Sequence, residues 1–135
     1  MNKIVIVSIA LILSLSSCYK FHNECDPTVY CDTNQPDSGY VDITVTDVGT
    51  NNYVPITIFE GDIEDNKVVL MDTLYSTTNY YYLPVRKRYS AKAIYRKNGI
   101  TTYVYDGTKI KVTKFWNCGD RCYEVSDGKL DLQLE

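Results

Sequence analysis

From Gly39 to the C-terminus the chain alternates. Val41, Ile43 and Val45 stand between Asp42, Thr44 and Thr46, and after Gly49-Thr50-Asn51-Asn52 the period returns at Val54, Ile56 and Ile58. A period of two sends successive side chains to opposite faces of an extended backbone, so each stretch makes a strand with one buried face. Segments 67–74, 79–85 and 88–97 follow, separated by turn-forming residues. In the last of them Tyr89, Ala91, Ala93 and Tyr95 share one face, and Ser90, Lys92 and Arg96 make most of the other. Asn98-Gly99 fits a two-residue hairpin turn leading into segment 100–106. A second turn at Asp106-Gly107 precedes 108–115, and segments 121–125 and 129–135 supply up to two more strands around Asp127-Gly128. No helical repeat appears beyond the N-terminus. These short strands with frequent turns predict an all-β fold, a single antiparallel β-sandwich of about seven to eight strands.

The N-terminus is of another kind. Lys3 is followed by an apolar run from Ile4 to Leu15 and then by small residues, the layout of a secretory signal peptide. The run falls short of the roughly 20 apolar residues that span a bilayer. Its end, Leu15-Ser16-Ser17-Cys18, resembles the lipobox of bacterial lipoproteins. The resemblance implies cleavage before Cys18 and acylation of that cysteine, with three chains giving stable anchoring at about 0.8 kcal/mol per buried methylene. Tyr19 after the cysteine, in place of aspartate, resembles the sorting pattern of outer-membrane lipoproteins. The first acid comes only at Glu24, so the segment leaves surface display open. The expected organisation is a signal peptide over 1–17, a lipidated tether over 18–38 and a β-sandwich domain over 39–135. The tether is polar and stiffened by Pro27 and Pro36.

Of the five cysteines, lipidation of Cys18 leaves Cys25, Cys31, Cys118 and Cys122. An even set outside the cytoplasm reads as two disulfides. Three connectivities satisfy it. Local pairs, Cys25 with Cys31 and Cys118 with Cys122, are favoured because Gly119 can bend a short loop. The alternative bridges the tether cysteines to the C-terminal ones and clamps the arm onto the domain. Zinc is disfavoured by the oxidising compartment and the lack of partner histidines.

The strands Gly39-x-Val41-x-Ile43-x-Val45, Val54-Pro55-Ile56-x-Ile58 and Tyr89-x-Ala91-x-Ala93-x-Tyr95 resemble prealbumin-like (transthyretin-like) β-sandwiches, including carboxypeptidase regulatory-like and Cna-B-type repeats. The likeness covers roughly residues 39–97, and the whole chain resembles small Bacteroidetes lipoproteins that pair a lipobox with such a domain. It carries fold further than function. Cna-B-type domains often form a Lys–Asn isopeptide bond from a first-strand lysine. Here the only lysine between Lys20 and Arg86 is Lys67, so that bond is not carried over. Transthyretin-like hydroxyisourate hydrolases need histidines, and residues 39–135 contain none.

The single histidine, His22, lies in the tether, which argues against Ser–His–Asp and Cys–His catalysis. No phosphate loop or zinc-protease motif occurs, and no pair of carboxylates stands out as a glycosidase pair. The expectation is a protein that is not an enzyme, with no cofactor and no metal. The acidic stretch Glu60-Gly61-Asp62-Ile63-Glu64-Asp65-Asn66 lacks EF-hand spacing and reads as a solvated charged turn.

The net charge of −3 hides a polarity: eleven acids and one base from Glu24 to Asp72, nine bases and one acid from Arg86 to Lys114. Cross-strand pairing of the two blocks explains it most simply. The functional reading is a contact patch of Arg86, Lys87, Arg88, Lys109 and Lys111 interleaved with Tyr80, Tyr82, Tyr103 and Tyr105, suited to polyanions or acidic glycans. The expected role is a lipid-anchored envelope or surface protein that presents its sandwich to another envelope protein. The alternative is a glycan- or polyanion-binding module. Nucleic acid is not expected as a partner outside the cell.

Overall fold

A computed structural model describes residues 25–46 and 53–135. Nine strands arise where side chains alternate: β1 Ser38–Val45, β2 Val54–Glu60, β3 Val68–Leu74, β4 Thr78–Pro84, β5 Arg88–Lys97, β6 Ile100–Lys109, β7 Lys111–Asn117, β8 Asp120–Ser126 and β9 Gly128–Leu132. One turn of 3-10 helix, Ile63–Asp65, sits between β2 and β3. The strands form a three-stranded sheet β4-β1-β9, a four-stranded sheet β3-β2-β5-β6 and a separate two-stranded hairpin β7-β8. All pairings are antiparallel except β1 with β9, which is parallel.

The two larger sheets make the sandwich. Their inner faces supply one apolar core, with Val41, Ile43 and Val45 from β1, Val54, Ile56 and Ile58 from β2, Ala91 and Ala93 from β5, and Leu130 and Leu132 from β9. Each fully buried Val, Leu or Ile stabilises the fold by about 1.5–3 kcal/mol. The expected face of the fifth strand is correct: Tyr89, Ala91, Ala93 and Tyr95 are all buried. The alanines lie in the middle of the layer, and the tyrosines close its ends with hydroxyls that reach the other sheet. Tyr89 donates to the Pro84 carbonyl at 2.8 Å. Tyr95 donates to the Leu132 carbonyl at 2.7 Å and accepts from the Thr46 N–H at 3.0 Å. A buried hydroxyl left without partners would cost about 1–3 kcal/mol, so these bonds decide whether tyrosine is tolerated there.

The outer edge of β9 would otherwise offer unpaired N–H groups. Side chains of β6 cover it: Lys129 N–H donates to Thr108 Oγ1 at 3.0 Å and Asp131 N–H to Asp106 Oδ2 at 2.7 Å. The Asp106-Gly107 turn is therefore a misreading. Both residues lie inside β6, with Gly107 opposite Ser90, and the strand continues to Lys109. The break falls at Ile110, whose side chain is buried in the core and whose carbonyl accepts from the Arg86 N–H. Asn98-Gly99 does form the predicted two-residue turn, with φ of 51° and 77°.

The hairpin is the part that departs most from expectation. Its turn is Cys118-Gly119, with φ of 53° and 88°, so β7 and β8 are joined as tightly as β5 and β6. Gly39 lets its base approach β1: a Cβ there would come within 2.7 Å of Val125 and 2.8 Å of Ile110. The favoured local disulfides do not form. Cys25 is bonded to Cys118 and Cys31 to Cys122, across 93 and 91 residues. Strand geometry explains it. Cys122 points inward from β8 opposite Phe115, whereas Cys118 stands in the turn, so the two do not face each other. From Cys25 onward the segment read as tether is thus fastened to the hairpin. Asp32 forms a β-bridge with Tyr123, and the Asn117 side chain accepts from Asp26 N–H and donates to the Asp26 carbonyl, both at 2.9 Å.

Candidate functional site

The proposed contact residues do not make one patch. Tyr80 and Tyr82 alternate on the outer face of β4, where register sets Tyr82 opposite Tyr40 and Tyr80 opposite Asp42 on β1. The Tyr40 and Tyr82 rings are 5.1 Å apart and tilted by 57°, the offset geometry that aromatic pairs prefer. Tyr40, Tyr80 and Tyr82 are 51%, 65% and 62% exposed. Lys129 and Asp131 of β9 continue the same face beyond Asp42 and Thr44. Tyr103 and Tyr105 instead lie on the outer face of β6, in the other sheet, with rings stacked at 6.5 Å. Lys92 and Ile94 of β5 are their cross-strand neighbours. The sandwich therefore presents two tyrosine faces, turned away from each other.

The cations divide as well. In the β4–β5 turn Arg86 has a left-handed backbone (φ 63°), and its guanidinium lies against the side-chain amide of Gln35. Lys87 binds Glu60 at 2.6 Å, and Lys67 binds the other oxygen of the same carboxylate. Two ammonium groups hold the Glu60 carboxyl below the usual carboxylate range, the Lys67 hydrogen bond acting most strongly and that from Lys87 next. Arg88 Nε lies 3.3 Å from Asp62, both groups being well exposed. For this turn the simple explanation holds: acidic and basic segments meet and neutralise each other. The acidic loop itself is engaged by Lys67, Lys87 and Arg88, and Asp65 accepts from the Asp62 N–H at 3.2 Å.

Lys109 and Lys111 have a different setting. With Arg88 and Lys129 they line an open groove of about 550 Å³ at the corner where β6 passes into β7, floored by Gly107 and Thr108 and bordered by Ser126 and Asp127. Four cations and one carboxylate line it, and among the described residues no ion pair engages Lys109, Lys111 or Lys129. A multivalent anion fits that electrostatic field.

One carboxylate–phenol pair ties the sheets at their other edge. Tyr81 of β4 points inward and donates to Asp72 Oδ2 of β3 at 2.6 Å. That bond, helped by the Thr73 N–H, lowers the Asp72 pKa. Burial, and then the Asp72 carboxylate, raise the Tyr81 pKa.

The signal peptide, Cys18 and His22 lie outside the described residues. Among the described residues no group of three His, Cys, Asp or Glu side chains is placed to hold a metal, and no helix is long and apolar enough to cross a membrane. Three exposed residues escaped the sequence reading. Tyr40 and Lys129 become neighbours of the candidate residues only through the pairing of β1 with β4 and β9. Trp116, 63% exposed near the hairpin turn with the Arg121 guanidinium 5.2 Å above its ring, had a signal in the sequence as the single tryptophan. Comparison of the chain with protein-family models, with curated proteins and with solved structures finds no match.

Proposed function

We propose that this is a lipid-anchored cell-envelope protein of the outer membrane, without catalytic activity, whose sandwich presents a tyrosine-rich sheet face to another envelope protein. The exposed Tyr40–Tyr80–Tyr82 face carries this reading. Rigid, amphipathic rings lie at its centre and charges of both signs, Asp42, Lys129 and Asp131, beside them. Protein interfaces have that anatomy, aromatic at the core and polar at the rim. The prealbumin-like character of the sandwich belongs to the same reading. It is supported by the three quoted motifs falling on β1, β2 and β5 of the two-layer part. A photo-crosslinker at position 80 in intact envelopes should capture a discrete protein, and a Tyr40→Ala/Tyr80→Ala/Tyr82→Ala variant should lose a co-purifying partner while melting normally. An unchanged partner profile in that variant would sink the tyrosine face as the interface.

A second reading is favoured by the groove of Arg88, Lys109, Lys111 and Lys129: binding of an acidic glycan or of lipopolysaccharide phosphates. Such binding should weaken steeply with salt and disappear in a Lys109→Gln/Lys111→Gln/Lys129→Gln variant. Binding that ignored both salt and these substitutions would exclude it.

A further inference from the structure

The N-terminal arm and the hairpin together constrain how the domain meets the membrane. Cys25, where the described chain begins, is bonded to Cys118 in the β7–β8 turn. Cys25 lies only seven positions after Cys18, and seven residue steps span at most about 25 Å fully extended. If Cys18 is held at the bilayer by its acyl chains, the hairpin turn is held close to the lipid headgroups. A long linker would let that end of the domain range far from the membrane; so short a one keeps it near.

The side chains at that end suit the place. Trp116 pairs across the hairpin with Arg121, next to the turn, and Lys114, two residues before Trp116, shares its face by alternation. The acids Asp120 and Glu124 alternate onto the opposite face, where Asn117 is tied to Asp26 of the arm. An indole favours the headgroup level of a bilayer, where its ring is half solvated and its N–H finds acceptors. Arginine and lysine can bury their stems there while their charges meet lipid phosphates. The interaction need not be strong, because the acyl chains already hold the tip at high effective concentration beside the surface.

We infer that the Trp116–Arg121 end of the β7–β8 hairpin docks on the lipid surface beside the chain's own anchor, orienting the sandwich so that its sheet faces stand off the membrane. The inference rests on the lipoprotein reading of Cys18. Its partner is the phospholipid headgroup region.

Trp116 reports on this directly, being the only tryptophan in the chain. The lipidated full-length protein would be reconstituted into vesicles of phosphatidylethanolamine and phosphatidylglycerol, with acyl labelling and vesicle flotation checked first. Docking should shift Trp116 emission to the blue and protect it from acrylamide. With bromine on the upper part of the acyl chains, nearest the headgroups, part of the emission should be quenched, because an indole settles at the interface. A Lys114→Glu/Arg121→Glu variant should be labelled and float normally but lose most of that quenching. Normal labelling and flotation with Trp116 fully open to acrylamide would overturn the inference and leave the anchor reading standing. Trp116 protected from acrylamide but untouched by brominated lipid would also overturn it, since a protein surface would then be the cover. Absence of both labelling and flotation would defeat the anchor reading and this inference with it.

Discussion

The sandwich and the hairpin pole hold themselves together by different means. In the sandwich, two sheets bury a continuous apolar layer, and tyrosine hydroxyls bridge the layers at Pro84, Leu132 and Asp72. In the pole, β7, β8 and the arm bury little beyond Cys122 and Asn117, with Val112 and Val125 joining the core only at the base. Covalent bonds substitute for area there. The first bridge to form closes a loop of about 90 residues, worth roughly 4–5 kcal/mol in the chain-entropy account. Once it exists, the second closes a ring of only about ten residues, six along the arm and four along the hairpin, and adds about 3 kcal/mol. A small surface element can thus be made as persistent as a core, provided the compartment is oxidising.

The largest test of this contrast removes both bridges. Replacing all four cysteines of the domain by serine should lower unfolding free energy by about 7 kcal/mol, the sum of the two closures. Amide exchange in any residual fold should speed up first in β7, β8 and the arm. A pole that stayed as protected as β2 and β5 would break the comparison. Next, Ile43→Ala in the sandwich should cost about 3 kcal/mol by transfer and cavity terms, measured by denaturant titration, with both disulfides still formed. A smaller change, Tyr95→Phe, leaves the Leu132 carbonyl and the Thr46 N–H without their partner. It should cost about 2 kcal/mol and loosen the ends of β1 and β9, an effect readable by exchange at Thr46.

Titration sharpens the contrast with the mildest perturbation. The raised pKa values of Tyr81 and Tyr89, both due first to burial, belong to the sandwich. A raised phenol contributes stability that is whole below its ordinary value near 10 and is lost as pH climbs toward the raised one. Above about pH 10 these contributions should therefore fade and the sandwich weaken. In acid the order reverses in scope. Glu60, Asp72 and Asp26 all lie below the usual carboxylate range, Asp26 through its Thr28 hydroxyl and N–H partners. Their contributions are whole above about pH 4.5 and fade as pH falls through the lowered values, so both regions should loosen together. Melting curves at pH 3, 7 and 10.5, read separately by Trp116 fluorescence for the pole and far-UV dichroism for the sheets, separate the two cases.

Much of this was legible in the residues. Alternation located β1, β2 and β5 and their buried faces, because a period of two is a local property of the chain. Asn98-Gly99 announced its turn for the same reason, both residues tolerating a left-handed backbone. Asp106-Gly107 carried an equal local signal and misled. Its carboxylate is used by Asp131 N–H and its glycine lies beside the Arg88 guanidinium, partners distant in sequence. The contact patch failed similarly. Tyr82 and Tyr103 look like neighbours in a list of aromatic residues, but they belong to different sheets.

By itself the sequence determined an all-β domain, its strand periodicity and an even set of cysteines after Cys18, since each follows from local spacing or composition. Only the tertiary structure decided which cysteines pair, that β1 and β9 run parallel, that Tyr40 joins Tyr80 and Tyr82, and that Lys129 joins Lys109 and Lys111. Each of these brings together residues more than fifteen apart in the chain. Strand pairing and layer packing, not any local preference, set which face meets which.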